Sequence, residues 1–116
     1  MAKHILVVVA NPLPGQEAEF NRWYTDQHLD DVLRVPGMVA AQRFEVSADG
    51  PKGLPGRYLA IYEMDIDDPK TAFAALAEAM QAGRMPISAA MDPANLVASI
   101  LTPITERKVR TSSLRR

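Results

Sequence analysis

Hydrophobic and polar positions along this chain switch between a period of two and a period near 3.6. His4 to Val9, HILVVV, is a β-branched run that stops at Asn11-Pro12-Leu13-Pro14-Gly15, residues that no strand or helix interior tolerates. A first strand is predicted there. Glu17 and Glu19 then fit the first turn of a helix, where carboxylates meet the positive end of the dipole, and the helical pattern runs from Gln16 to His28 or a little beyond. Val35-Pro36-Gly37 closes it as a turn. Met38 to Val46 alternates, with Met38, Ala40, Gln42, Phe44 and Val46 on one face and Val39, Ala41, Arg43 and Glu45 on the other. The Gly- and Pro-rich loop SADGPKGLPG joins this second strand to a third, Arg57 to Met64. Asp67, Asp68 and Pro69 form a helix start, and Ala72, Phe73, Leu76, Ala77 and Met80 recur at helical spacing up to Gly83. Arg84 to Asn95 reads as irregular or a short helical turn. Leu96 to Thr105 reads as a last strand whose Pro103 favours an edge or a bulge.

The resulting order, β-α-β-β-α-β, is the ferredoxin-like α+β arrangement: a four-stranded antiparallel sheet with two helices on one face. Two helices cover only one face, yet Ile5, Val7 and Val9 alternate with Leu6 and Val8, and Leu59 and Ile61 with Tyr58, Ala60 and Tyr62. Both sheet faces are apolar, so the second face calls for a cover of its own. The simplest is the same face of another copy, and the expectation is a homodimer.

Composition narrows the class further. The 116 residues suit one domain, assigned to 1–105, followed by a basic tail at 106–116. No apolar run is long enough to span a bilayer, and the N-terminal run is too short for a signal-peptide core, so a cytoplasmic protein without a membrane partner is expected. The absence of cysteine removes disulfides, thiolate nucleophiles and thiolate metal sites. The tail carries a net charge of +4 against −5 for the body, which reads as a solvated terminus or an arm on a neighbouring subunit. No basic stripe with interleaved aromatics occurs elsewhere, which argues against nucleic acid.

The candidate chemistry concentrates in FNRWYTDQHLDDVLRVPG, Phe20 to Gly37. On a helical wheel Phe20, Trp23, Tyr24, Gln27, His28 and Asp31 share an arc of about 140°, while Leu29 and Leu33 point the other way. Polar groups thus sit where a packing helix normally carries aliphatics. Two readings follow. In one, the helix breaks near His28, the aromatics are core, and His28 and Asp31 cap it or bond nearby backbone. In the other, His28 looks into a cavity walled by Phe20, Trp23 and Tyr24, with Asp31 or a backbone carbonyl fixing its tautomer. With an ordinary pKa near 6.5, such an imidazole can give or take a proton.

Other groupings offer less. His28 and Asp31 could supply two metal ligands, but His4 is the only other histidine and no third ligand is evident. Arg43 and Glu63, on neighbouring strands, suit a sheet-surface ion pair. Tyr58 and Tyr62 share one strand face, either buried against a second copy or donating phenol hydroxyls to a ligand. Met80, Met85 and Met91 suit either an adaptable pocket mouth or core filler.

From Asn11 to Phe44 the chain resembles the EthD-like family of the dimeric α+β barrel superfamily. The residues concerned are a Pro and Gly turn after strand one, a W-Y-x-x-x-H-L-x-D-V-L-x-V-P-G run, and a strand with A-Q-R-F. The resemblance implies a ferredoxin-like domain that pairs by its sheets into a barrel, with a mostly apolar pocket between sheet and first helix. The motif positions are Trp23, Tyr24, His28, Asp31, Pro36 and Gly37. Relatives in the wider superfamily include polyketide cyclases, muconolactone isomerase, cofactor-free monooxygenases and haem-degrading enzymes, so the fold alone does not select a reaction.

Two functions are consistent with this. The leading one is a cofactor-free enzyme acting on a hydrophobic aromatic or polyketide-like carbonyl compound, in a lyase, isomerase, cyclase or monooxygenase step. His28 would be its general acid or base with Asp31 beside it, and Arg43 would stabilise an enolate or carboxylate. Phe20, Trp23, Tyr24 and Tyr62 would hold the substrate. The alternative is a non-catalytic binding or accessory protein of a catabolic pathway that uses the same pocket.

Overall fold

A computed structural model describes residues 3–111. Strand β1 (Lys3–Ala10) leads into a helical run made of α1 (Glu17–Trp23), a π-helical turn (Tyr24–His28) and α2 (Leu29–Leu33). There follow β2 (Met38–Glu45), β3 (Tyr58–Asp65), α3 (Pro69–Gln81), a 3₁₀ turn at Pro93–Asn95 and β4 (Val97–Leu101). The strands lie in the order β2-β3-β1-β4, every neighbour antiparallel. The ferredoxin-like order read from the hydrophobic pattern is therefore the observed one. Of the basic tail, residues 106–111 are exposed, and residues 112–116 lie outside the described residues.

β1 is an inner strand, paired with β3 on one edge and β4 on the other, and its β-branched run is apolar on both faces. On one face Leu6, Ala10, Tyr58, Ala60, Tyr62 and Met64 are buried against Phe20, Trp23, Tyr24 and Val32 of the helical run and Ala72, Leu76 and Ala79 of α3. Asp68 starts α3 by accepting a hydrogen bond from the Lys70 backbone N–H at 3.0 Å, with Pro69 in the first turn. Gly37 turns the chain into β2 at φ +97°, with Ile66 and Ala72 closing over it.

Four expectations change. The alternation read for β2 is interrupted, because Met38 opposes Met64 while Ala40 already opposes Glu63. This bulge takes up one residue and returns Met38 to the helix face together with Ala41 and Arg43, leaving Gln42 and Phe44 opposite. Arg43 consequently opposes Ala60, and Glu63 opposes Ala40, so the two do not form a cross-strand pair. β4 ends at Leu101 rather than Thr105: Pro103 has no N–H for the ladder, and Thr102 Oγ1 meets His4 Nδ1 at 3.0 Å instead. Tyr58 and Tyr62 are buried beneath the helices, so a second copy on the open face does not cover them.

The other sheet face is largely open in a single chain, apart from Val9, which is buried next to Gly56. It carries Ile5, Val7, Leu59 and Ile61 flanked by Phe44, Val97 and Leu101, the last three exposed large hydrophobics.

Candidate functional site

The helical run that carries the W-Y-x-x-x-H sequence is not a uniform α-helix. The Leu29 backbone N–H bonds to the carbonyl of Tyr24, five residues back, and dihedrals stay helical across the joints at Tyr24 and Leu29. Such a π-turn accommodates one extra residue and sets the following positions back by about 100°. Val32 therefore turns into the core at 1% exposure, Leu29 packs half-buried against it, and Leu33 is left outside. The wheel that set Leu29 opposite the aromatics assumed an uninterrupted helix. The π-turn removes that conflict and holds His28 on the buried face.

His28 sits between two rings. It stacks on Trp23 with centroids 4.6 Å apart and planes 27° from parallel, and meets Tyr24 edge to face at 4.9 Å. Its Nδ1 is buried and has no hydrogen-bond partner. Removal from water pulls the imidazole down from 6.5 to about 4, the Asp31 carboxylate opposing that shift. The ring is thus neutral at pH 7. Asp31 is engaged elsewhere, accepting a hydrogen bond from Arg34 Nη1 at 2.6 Å through Oδ1, while its Oδ2 is buried without a partner.

Tyr24 and Tyr62 meet across the core, the Tyr62 hydroxyl donating to Tyr24 Oη at 3.1 Å. Burial pushes both phenols up, so neither ionises near neutrality. Phe20 packs edge to face on Tyr24 at 5.6 Å and is wholly buried. On the far side of these rings lies Arg43, its guanidinium 4.6 Å from the Tyr24 ring centre and 5.5 Å from those of Phe20 and Tyr58. Arg43 donates to Asn21 Oδ1 at 2.8 Å and Thr25 Oγ1 at 3.0 Å. It locks α1 and the π-turn to β2.

A cavity of about 220 Å³ lies between the helices and the β1–β4 side of the sheet. Leu6, Val8, Val32 and Leu76 line its interior. His28, Tyr24 and Tyr62 are its polar side chains, and the exposed Phe73, Met80, Ile87 and Leu96 also border it. The irregular stretch after α3 is held here by the Leu13 N–H to Ala90 carbonyl bond at 2.7 Å and the Asp92 N–H to Asn11 carbonyl bond at 2.9 Å.

Of the residues singled out from the sequence, His28, Tyr24 and Tyr62 line the cavity. Phe20 and Trp23 stand behind the polar wall as ring supports, and Arg43 and Asp31 are outside the lining. Met80 and Met91 line it, while Met85 is core. Phe73, Ile87 and Leu96 were not foreseen. Phe73 is an apolar residue left 39% exposed on an amphipathic helix, which in retrospect signals a pocket edge. A wider surface groove of about 520 Å³ beside Lys52 and Arg57 is bounded by the β2–β3 loop and contains none of these residues.

No family model matches the chain, and no curated protein matches it significantly. Solved structures do share its fold. The haem-degrader MhuD of Mycobacterium tuberculosis, solved with two haems bound in its active site, superposes with a TM-score of 0.61 at 15% identity, covering 90% of this chain and 99% of that one. An EthD-like protein from Ralstonia eutropha gives 0.58 at 19% identity, covering 95% and 100%. SnoaB from Streptomyces nogalater, a cofactor-independent oxygenase solved as a point mutant, gives 0.52 at 17% identity, covering 90% and 96%. The fold implied by the EthD-like resemblance is thus the fold found.

Proposed function

We propose that this protein is a cofactor-free enzyme that binds a hydrophobic carbonyl compound in the His28 cavity and moves a proton with His28. The observation that carries the reading is His28 in the lining of an apolar cavity, its Nδ1 buried without a protein partner. Buried polar atoms are normally satisfied, and a side chain with an orphan one in a cavity wall marks a candidate site. His28 is neutral at pH 7, so it begins as a proton acceptor and donates only the proton it has taken. Trp23 and Tyr24 hold the imidazole orientation by stacking and edge contact. Asp31 acts through its charge alone, favouring the imidazolium once formed. Arg43 acts indirectly, by fixing the Tyr24 ring.

The fold shared with SnoaB and MhuD is compatible with an oxygenase step, and equally with isomerisation or cyclisation. Haem is not part of the proposal. The cavity lining has no Lys or Arg among the described residues to meet propionates.

The enzyme is proposed to work as a homodimer, because the open sheet face bearing Phe44, Val97 and Leu101 is apolar and lies opposite the helices. The experiment is a panel of small aromatic and aliphatic ketones, scored by protection against thermal unfolding and by mass spectrometry of the products. Product formed by the native protein and lost in His28→Gln supports the enzyme. Protection with no product in the native protein supports the alternative, a binding or accessory protein, which the mostly apolar lining fits as well.

A further inference from the structure

The Tyr24–Tyr62 pair has two hydroxyl protons and one internal hydrogen bond. Whichever phenol donates, one O–H is left over. No protein acceptor is bonded to it among the described residues, and the rest of the lining is aliphatic, aromatic or thioether apart from His28. The nearest guanidinium, Arg43, packs over the face of Tyr24 from outside the lining, its donors directed to Asn21 and Thr25. The polar side chains in the cavity lining are therefore neutral: a phenol pair with one surplus proton, and the His28 imidazole.

Resting on the proposed pocket, we infer that the Tyr24–Tyr62 pair is a one-proton clamp for a single carbonyl oxygen, which selects uncharged ligands of about one ring in size. The size follows from comparison: an apolar protein cavity of about 150 Å³ holds benzene, and this one is about 220 Å³. A substituted single ring fits within it. The charge follows from the inventory, because a carboxylate here would meet one donor and no cation, and a buried charge left so poorly compensated is strongly disfavoured. A ketone oxygen needs only the one donor. In the reaction, a C–H bond next to that carbonyl breaks and its proton passes to His28. The electron pair moves onto the oxygen held by the phenol, giving an enolate, and return of the proton to carbon completes a cycle that requires no oxidant.

The test uses ethylbenzene, acetophenone and benzoate, which are close in size and differ in the polar group. Binding is followed through Trp23, the chain's single tryptophan, which stacks on His28. The native protein at pH 7.5 should bind acetophenone at least tenfold more tightly than benzoate. The double variant Tyr24→Phe/Tyr62→Phe should weaken acetophenone about fivefold or more while leaving ethylbenzene unchanged or tighter. The double variant is required because either phenol alone could still donate. Benzoate binding as well as acetophenone in the native protein overturns the inference, with no variant needed. So does an equal effect of the double substitution on acetophenone and ethylbenzene, which leaves the pocket itself intact. Failure of all three probes to bind overturns the pocket reading along with it.

Discussion

The His28 imidazole lies on the Trp23 indole, ring centres 4.6 Å apart, five residues along a helix that takes an extra residue between them. In an unbroken α-helix residues five apart diverge by about 140°. The π-turn of Tyr24–His28 is what lets these two stack. Burial at that contact keeps the imidazole neutral and next to the cavity.

Acid should expose that burial. The His28 pKa is about 4 in the folded chain and 6.5 in the reference state, so between these values the unfolded chain binds the extra proton. The His28 contribution is therefore intact above pH 6.5 and is lost as pH falls toward 4, by on the order of 3 kcal/mol. Urea unfolding of native and His28→Gln proteins at pH 7 and pH 4 measures it. The native protein should lose more stability over this interval than the variant; parallel losses would show that His28 is not desolvated.

Arg43 should matter to stability through both its charge and its shape. Arg43→Lys keeps the charge but loses the planar fork that bonds Asn21 and Thr25 and lies on Tyr24. Arg43→Lys is expected to cost about 1 kcal/mol, and Arg43→Ala about 2 kcal/mol. Chemical denaturation reads both, and equal stability of Arg43→Lys and native protein would mean that charge alone suffices.

Gly37 tests the turn that delivers β2. A Cβ there would stand 3.2 Å from Ile66 Cδ1 on a backbone of φ +97°. Gly37→Ala should destabilise the protein by about 1–2 kcal/mol. The control is Gly83→Ala, which shares a positive φ but meets nothing within 4 Å, and which should cost less in the same thermal scans.

The open sheet face should hold two copies together. Phe44→Lys combined with Val97→Lys places charge on exposed apolar positions remote from the cavity residues Tyr24 and His28. Sedimentation velocity at micromolar concentration should give a dimer for the native protein and a monomer for the variant. A native monomer would remove the homodimer from the account.

Much of the fold was legible because the hydrophobic period changes cleanly along the chain. The β-branched HILVVV run, the Asp68-Pro69 cap and the Gly37 turn each specify their element locally. The π-turn and the β2 bulge were not legible, since each inserts one residue without a distinctive residue type, and each then reverses which neighbours face inward. This is why Arg43 proved to share the helix face with Met38, and why Leu29 was misplaced. The cavity was half legible. Tyr24 and His28 stood out as polar groups on an aromatic face, whereas Ile87 and Leu96 depend on how the irregular segment after α3 folds back, which no local pattern encodes.

Proton transfer by His28 is tested most directly by deuterium exchange. Acetophenone is incubated with the protein in deuterium oxide at pH 7.5, and loss of its methyl proton signal is followed by NMR. Enolisation against His28 predicts exchange faster than buffer with the native protein and at the buffer rate with His28→Gln. Equal exchange with both proteins, while acetophenone is bound, would contradict it.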